Sequence, residues 1–126
     1  MFGGSEAFSG FAVDDVATVE SFYREVLGLA VERQGEMFTL RLGGGTEVLV
    51  YPKPDHRPAT FTILNFPVAD IDRAVEELVG RGVSLIRYDH FAHDERGVVR
   101  PPQDDGPLIA WFADPAGNIL AVLQDQ

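Results

Sequence analysis

Two histidines in the run DHFAHDE have the side-chain types and spacing that could support chemistry. His90 and His93 are followed at once by Asp94 and Glu95. Imidazole and carboxylate groups bind Zn²⁺, Ni²⁺ and Fe²⁺, so one interpretation of the cluster is a metal site. The segment has the composition of a loop, and no helix or strand is expected to aim the two rings at one point. Contact with a bound ligand and simple solvation are the other two interpretations, and the sequence leaves all three open.

Four further side chains are suited to binding a small molecule. Thr39, Arg41 and Asn65 are polar residues at strand positions predicted to face away from the helices, where a ligand or water would satisfy their hydrogen bonds. For Arg41, an ion pair with an acidic side chain at the rim is the competing interpretation. Trp111 fits either an aromatic wall for a flat guest or ordinary core packing.

Nucleophilic hydrolysis has no candidate residue in this sequence. The chain contains no cysteine, and none of its serines lies in a Gly-x-Ser-x-Gly elbow. The run Gly43 to Gly45 joins two predicted strands and lacks the Gly-Lys-Ser/Thr continuation of a phosphate-binding loop. We therefore assign no catalytic residue.

The elements that must position these residues occur twice along the chain. The run FAVDDV at 11–16 recurs as FPVADI at 66–71, and the amphipathic helix predicted after each run ends at Gly28 or Gly82. A repeat of about 55 residues is too long for a solenoid unit and too short for an independent domain. The repeat predicts two half-domains that share one core and bind a ligand in the cleft between them.

Each half is predicted to run strand, helix and three strands, with Asp15 and Asp70 as helix N-caps. We expect a single α+β domain at 1–126, composed of a first βαβββ module at 6–51, a connector at 52–60 and a second module at 61–124. In the second module, a strand at 83–88 precedes a long loop at 89–107 and a hairpin closed by the turn DPAG. The inner face of the second helix is predicted to hold Ile71, Ala74, Val75, Leu78 and Val79.

Charge and composition exclude several classes of partner. Twenty acidic residues against ten basic ones give a net charge of −10, which repels nucleic acid and anionic lipid. The N-terminus lacks a secretory signal and no run approaches the ~20 apolar residues of a membrane span, which predicts a cytoplasmic protein with no membrane or nucleic-acid partner. Acidic residues exceed basic ones between positions 89 and 105, which favours a cationic ligand if that loop overhangs the cleft.

The strings FAVDDVATVESFYREVLGL and WFADPAGNILAVLQ, in this duplicated order, resemble the vicinal oxygen chelate superfamily, which includes glyoxalase I, extradiol dioxygenases and bleomycin-resistance proteins. The resemblance covers nearly the whole chain and implies two βαβββ modules with one helix on the outer face of each sheet. Metal-using members carry His or Glu at the head of the first strand, on the last strand of the first half, and at the two corresponding places in the second half. In this sequence those places fall at Phe8, Val50, Ile63 and Ala121, and none of these side chains can bind a cation.

By resemblance, members that lack these ligands include drug-binding proteins that hold an antibiotic in a cleft at a dimer interface. We therefore expect a metal-independent homodimer that binds a cationic or aromatic antibiotic without a cofactor. The alternative is a metal-dependent lyase, isomerase or dioxygenase whose ligands have moved to the histidine loop. The residues expected to contact the ligand are Phe8, Thr39, Arg41, Val50, Ile63, Asn65, Phe91, Trp111 and Ala121.

Overall fold

The computed structural model describes residues 1–103 and 105–126, which form two compact units, Met1–Arg57 and Pro58–Gln126. Each unit contains one four-stranded mixed sheet and one α-helix, in the order strand, helix and three strands. The α+β fold of two βαβββ modules is thus confirmed. In the described part of the chain, no helix is long and apolar enough to cross a membrane.

The first unit has the strand order β1-β4-β3-β2, with β1 parallel to β4 and the other pairs antiparallel. Its α-helix covers one face of the sheet, because the Tyr23 ring beyond the helix lies 5.9 Å from Phe11 and 6.4 Å from Phe38. All three rings are buried and form the centre of this core. The elements are β1 (Ser9–Val13), α1 (Val16–Ser21), β2 (Ala30–Gln34), β3 (Met37–Arg41) and β4 (Glu47–Pro52).

The first helix begins where the sequence predicts and changes its winding before it ends. The Asp15 carboxylate accepts hydrogen bonds from the Thr18 amide and hydroxyl, at 3.2 and 2.8 Å, as an N-cap does. After α1 the chain continues as a π-helical turn, Phe22–Val26, in which the Leu27 amide donates to the Phe22 carbonyl over 3.1 Å. Gly28 then leaves the helix with a φ of 71°.

The second unit repeats this plan with the strand order β5-β8-β7-β6, and β5 is parallel to β8. Asp70 caps its helix by accepting from the Arg73 amide at 3.1 Å, and Gly82 follows the helix with a φ of 87°. The elements are β5 (Thr62–Pro67), α2 (Ile71–Gly80), β6 (Leu85–Ile86), β7 (Leu108–Ala113) and β8 (Ile119–Gln124).

Two predictions for the second unit are wrong in detail. Val79 is 56% exposed rather than on the inner face of α2, because it lies about 80° around the helix from Ile71 and so at the edge of the apolar stripe. The strand predicted at 83–88 shortens to β6, because the Tyr88 amide donates to His93 in the following loop instead of pairing with β7. Val99 of that loop pairs with β7 at Ile109.

Candidate functional site

The sheet of the second unit has one face that is turned away from α2, which we call the open face. The Ile71 amide of α2 donates to Gln124 Oε1 at 2.8 Å, so Gln124 and the alternate residues of β8 on its side face the helix. Ala121 has the opposite parity, and it pairs with Asn65 of β5 and Trp111 of β7. Because directly opposed residues share a face, Asn65, Ala121 and Trp111 lie in one row across the open face.

An aromatic cluster surrounds Trp111 on this face. Phe91 stacks on the indole, with ring centroids 5.2 Å apart and an interplanar angle of 23°. Tyr88 and His93 meet Trp111 edge-on, at 5.1 and 6.0 Å, and His90 lies 4.4 Å from Phe91. Trp111 is only 9% exposed, whereas Phe91 is 43% exposed. The loop after β6 therefore packs Phe91 on Trp111, and ordinary packing, one of the two interpretations of Trp111, describes the contacts of its ring.

Thr62 belongs to this site and is a residue that sequence reasoning missed. Its hydroxyl accepts a hydrogen bond from Trp111 Nε1 at 3.2 Å. The β5–β8 register shifts between Thr62 and Leu64, so Thr62 takes the position opposite Ile119 that regular alternation assigns to Ile63. A bulge of this kind changes the face of a residue without any change in the hydrophobic pattern.

His93 uses both ring nitrogens to hold the loop together. Nε2 accepts from the Tyr88 amide at 2.9 Å, and Nδ1 lies 2.8 Å from the Gly97 carbonyl, which only a protonated Nδ1 can satisfy. The ring is therefore a neutral Nδ1–H tautomer with no free lone pair for a metal ion. None of the three interpretations of the histidine pair describes this geometry of His93. Its ring has a structural role instead, because it hydrogen bonds to two separate parts of the loop.

Asp94 and Arg100 close the base of the same loop. Asp94 Oδ1 accepts from the amides of Arg96 and Val98, both at 2.9 Å, and Oδ2 accepts from Arg100 Nε at 2.8 Å. Arg100 also pairs with Asp72 of α2. Burial raises the pKa of Asp94, but the hydrogen bonds from Arg100 and from the two amides outweigh it, and the net pKa is lowered. The base of the loop is thus a hydrogen-bonded unit tied to α2.

In the first unit, Thr39 and Arg41 lie on the face opposite the Tyr23 core, as alternation along β3 predicts. Arg41 is held between two carboxylates, with Nε donating to Glu32 at 2.9 Å and Nη1 donating to Glu47 at 2.6 Å. The hydrogen bond and the charge of Arg41 lower the pKa of Glu32, and Glu32 in turn raises the pKa of Arg41. The competing interpretation of Arg41, an ion pair with acidic neighbours, therefore describes its contacts.

Val50, which is expected to contact the ligand, lies instead in the core of the first unit. Val50 pairs with both Phe11 and Phe38, so it shares their helix-covered face and is fully buried. Leu49 points the other way and is the residue that corresponds to Ala121, because Leu49 pairs with Gly10 as Ala121 pairs with Asn65. Phe8 precedes β1 and is 70% exposed.

The donor set does not fit the divalent metal ion that the resemblance implies for metal-using members. With the register corrected, the four positions hold Phe8, Leu49, Thr62 or Ile63, and Ala121, which offer at most one hydroxyl. Within residues 1–103 and 105–126, no three His, Asp or Glu side chains gather closely enough to share an ion. Transition metals need three or four nitrogen, oxygen or sulfur ligands from protein, so we derive no metal-dependent step.

Comparison with known proteins identifies the family. A profile of the glyoxalase/bleomycin resistance protein/dioxygenase superfamily matches residues 9–122, and the chain belongs to this superfamily. No curated protein matches the sequence significantly.

Solved structures with the same fold come from proteins with diverse roles. An antibiotic binding protein from a Streptomyces species has a TM-score of 0.69 at 20% identity over 98% of both chains. A fosfomycin resistance protein from Listeria monocytogenes has a TM-score of 0.72 at 11% identity, covering 98% of this chain and 94% of its own. A lactoylglutathione lyase from Agrobacterium tumefaciens has a TM-score of 0.67 at 21% identity, covering 97% and 95%. Identities this low show the fold alone.

Proposed function

We propose that this protein binds a small, flat, partly aromatic molecule without a metal ion, on the open face of its second unit. The observation that carries the proposal is the row of Trp111, Ala121 and Asn65. The backbones of β7 and β5 lie two strand spacings apart, about 10 Å, and the Trp111 indole spans part of that distance because its Nε1 donates to Thr62. Trp111 would provide the stacking surface and the Asn65 amide a hydrogen bond at the far end.

The Asn65 side chain supports this role because it makes no hydrogen bond to any other described residue and is exposed. An amide side chain can donate and accept hydrogen bonds, so it can bind either a donor or an acceptor group of a ligand. Ala121, between Asn65 and Trp111, is fully buried and has no side chain beyond Cβ. The smallness of Ala121 leaves room for the Trp111 indole, which reaches across β8 to Thr62 of β5.

Charge favours a cationic ligand. The net charge is −10, and Asp89 at the tip of the loop is exposed and makes no ion pair with the described residues. Such a surface raises the local concentration of cations. Arg41 in the first unit is already neutralised by Glu32 and Glu47, so it does not recruit an anion there.

The ligand class we propose is a cationic or aromatic antibiotic, which the protein sequesters as a cytoplasmic homodimer. The shared fold with an antibiotic binding protein and a fosfomycin resistance protein supports this class. The alternative, a metal-dependent lyase, isomerase or dioxygenase, has less support because both nitrogens of His93 are already hydrogen bonded.

The test is calorimetry of the chelator-treated protein against cationic glycopeptide and flat aromatic antibiotics, with the planar cation proflavine as a reference probe. Trp111→Leu removes the flat surface and keeps apolar bulk, whereas Trp111→Phe keeps a flat ring. Stacking on a planar ring contributes about 1–3 kcal/mol, so Trp111→Leu should weaken binding about 5- to 150-fold and Trp111→Phe much less. No heat for any compound would refute the proposal.

A further inference from the structure

We propose that Phe91 is an internal plug that occupies the stacking surface of Trp111 and must leave it before a flat ligand can bind. The inference rests on the proposed function and adds a conformational step, the departure of Phe91, that precedes ligand binding. It identifies Phe91 as the residue that sets which ligands enter, because only a ring that stacks on Trp111 better than Phe91 does can replace it.

The first support is the geometry of the contacts around Trp111. Phe91 is the ring that lies nearly parallel to the indole, at 23°, whereas Tyr88 and His93 approach at 83° and 68°. A planar ligand on this wall would use the stacked orientation, which is the one that Phe91 holds. Phe91 is also 43% exposed, so its departure loses only part of the burial that a core phenylalanine would lose.

The second support is a difference in anchoring between the base and the tip of the loop. The base is fixed by the two hydrogen bonds of His93, by Asp94 with Arg100, and by Arg87, which donates to the carbonyls of Asp94 and Glu95 at 2.9 Å each.

The tip, residues 89–92, has far weaker attachment. Among the described residues its side chains make no hydrogen bond, and its one turn bond runs from the Phe91 amide to the Tyr88 carbonyl at 3.1 Å. The stacking of Phe91 on Trp111 is therefore the ring contact that joins the tip to another element, whereas His90 contacts only its near neighbours Phe91 and Tyr88.

This division predicts a local motion. The tip would swing about Tyr88 and His93, while the base keeps its bonds and holds Trp111 in place. An aromatic pair of this kind contributes a factor of about 2 to 10 to an equilibrium constant. Removing the plug should therefore improve ligand affinity by a factor of the same size, since a ligand no longer competes with it.

The plug can be tested without a ligand because Trp111 is the only tryptophan. Acrylamide quenching of its fluorescence reports access to the indole. Phe91→Ala should raise the quenching constant about two-fold or more, Phe91→Leu should raise it less, and Phe2→Ala, at an exposed phenylalanine in the first unit, should leave it unchanged. Equal quenching of Phe91→Ala and wild-type protein would overturn the plug.

A ligand experiment separates the plug from the proposed function. Proflavine should bind Phe91→Ala about 2- to 10-fold more tightly than wild type, and hydrogen exchange at residues 89–92 of wild type should rise on binding while 93–99 stay protected. Weaker binding by Phe91→Ala, or slower exchange at the tip, refutes the plug and leaves the function standing. Failure of proflavine and of every antibiotic to bind either protein refutes both.

Discussion

His93 shows at the scale of one residue why chemistry cannot be read from side-chain types alone. The run DHFAHDE has the composition of a metal site, but the ring of His93 bridges the Tyr88 amide and the Gly97 carbonyl. That use depends on the path of the loop, which no spacing in the sequence specifies. Thr62 is the opposite case, a site residue hidden by a one-residue bulge.

The histidine pair gives a matched test. His93→Ala should lower the free energy of unfolding by about 1–3 kcal/mol, because a loop amide and a carbonyl lose their partner. His90→Ala should change it by no more than about 0.5 kcal/mol, since His90 is exposed and makes no hydrogen bond to the described residues. Urea denaturation at pH 7.5 measures both. A larger loss for His90→Ala would show that the roles are reversed.

Val50 and Leu49 lie on opposite faces of β4, so substitutions at these two neighbouring positions should differ strongly in their effect on stability. Val50→Asp places a carboxylate between Phe11 and Phe38 and should destabilise the fold by more than about 4 kcal/mol. Leu49→Asp adds the same group on the other face and should cost less than about 1.5 kcal/mol. Thermal unfolding followed by circular dichroism distinguishes them. A Val50→Asp protein that unfolds at the same temperature as Leu49→Asp would contradict the register.

At the scale of elements, the helices and strands were predictable because their signals are local. Asp15 and Asp70 do cap helices, and Gly28 and Gly82 do end them with positive φ. The prediction was wrong where a tertiary contact competes with the local pattern. The strand predicted at 83–88 ends early, because the Tyr88 amide donates to His93 instead of to a neighbouring strand. The first helix changes to a π-helical turn at Phe22–Val26, which contains buried Tyr23.

The base of the loop should make stability depend on pH. The fold lowers the pKa of Asp94, so Asp94 stabilises the protein above its unfolded pKa of about 3.9, and this contribution is lost as the pH falls through the lower folded pKa. Asp94→Asn should therefore be less stable than wild type at pH 6, and the gap should narrow towards pH 3.

The matched control is Asp89→Asn, at an exposed carboxylate without an ion pair among the described residues. Its stability should follow wild type across the same range within about 0.5 kcal/mol. Urea midpoints from pH 6 to pH 3 provide the comparison. A gap for Asp94→Asn that widens in acid would mean that the fold raises the pKa of Asp94 instead.

At the scale of the whole molecule, the sequence revealed the duplication and the superfamily, because a repeated pattern survives when individual residues change. It also predicts that the four metal positions lack metal-binding side chains, and with Leu49 in place of Val50 those positions offer at most one hydroxyl. The stacking of Phe91 on Trp111 was beyond its reach, since that contact joins a loop to a strand 20 residues later.

We also predict a homodimer. Phe8 and Phe61 are 70% and 68% exposed, and burying these rings against a second copy of the chain would remove apolar surface from water. Sedimentation velocity at micromolar concentration should give twice the mass of the chain, and Phe8→Ser with Phe61→Ser should shift it towards the monomer. A wild-type protein that sediments as a monomer would contradict this prediction.

The central claim, that the site binds its ligand without a metal ion, is tested most directly by one titration. Protein stripped with chelator is titrated with proflavine, first alone and then with Zn²⁺, Ni²⁺ or Mn²⁺ present. We predict the same dissociation constant in every case, within about two-fold. Binding that appears only after a metal ion is added would contradict the account.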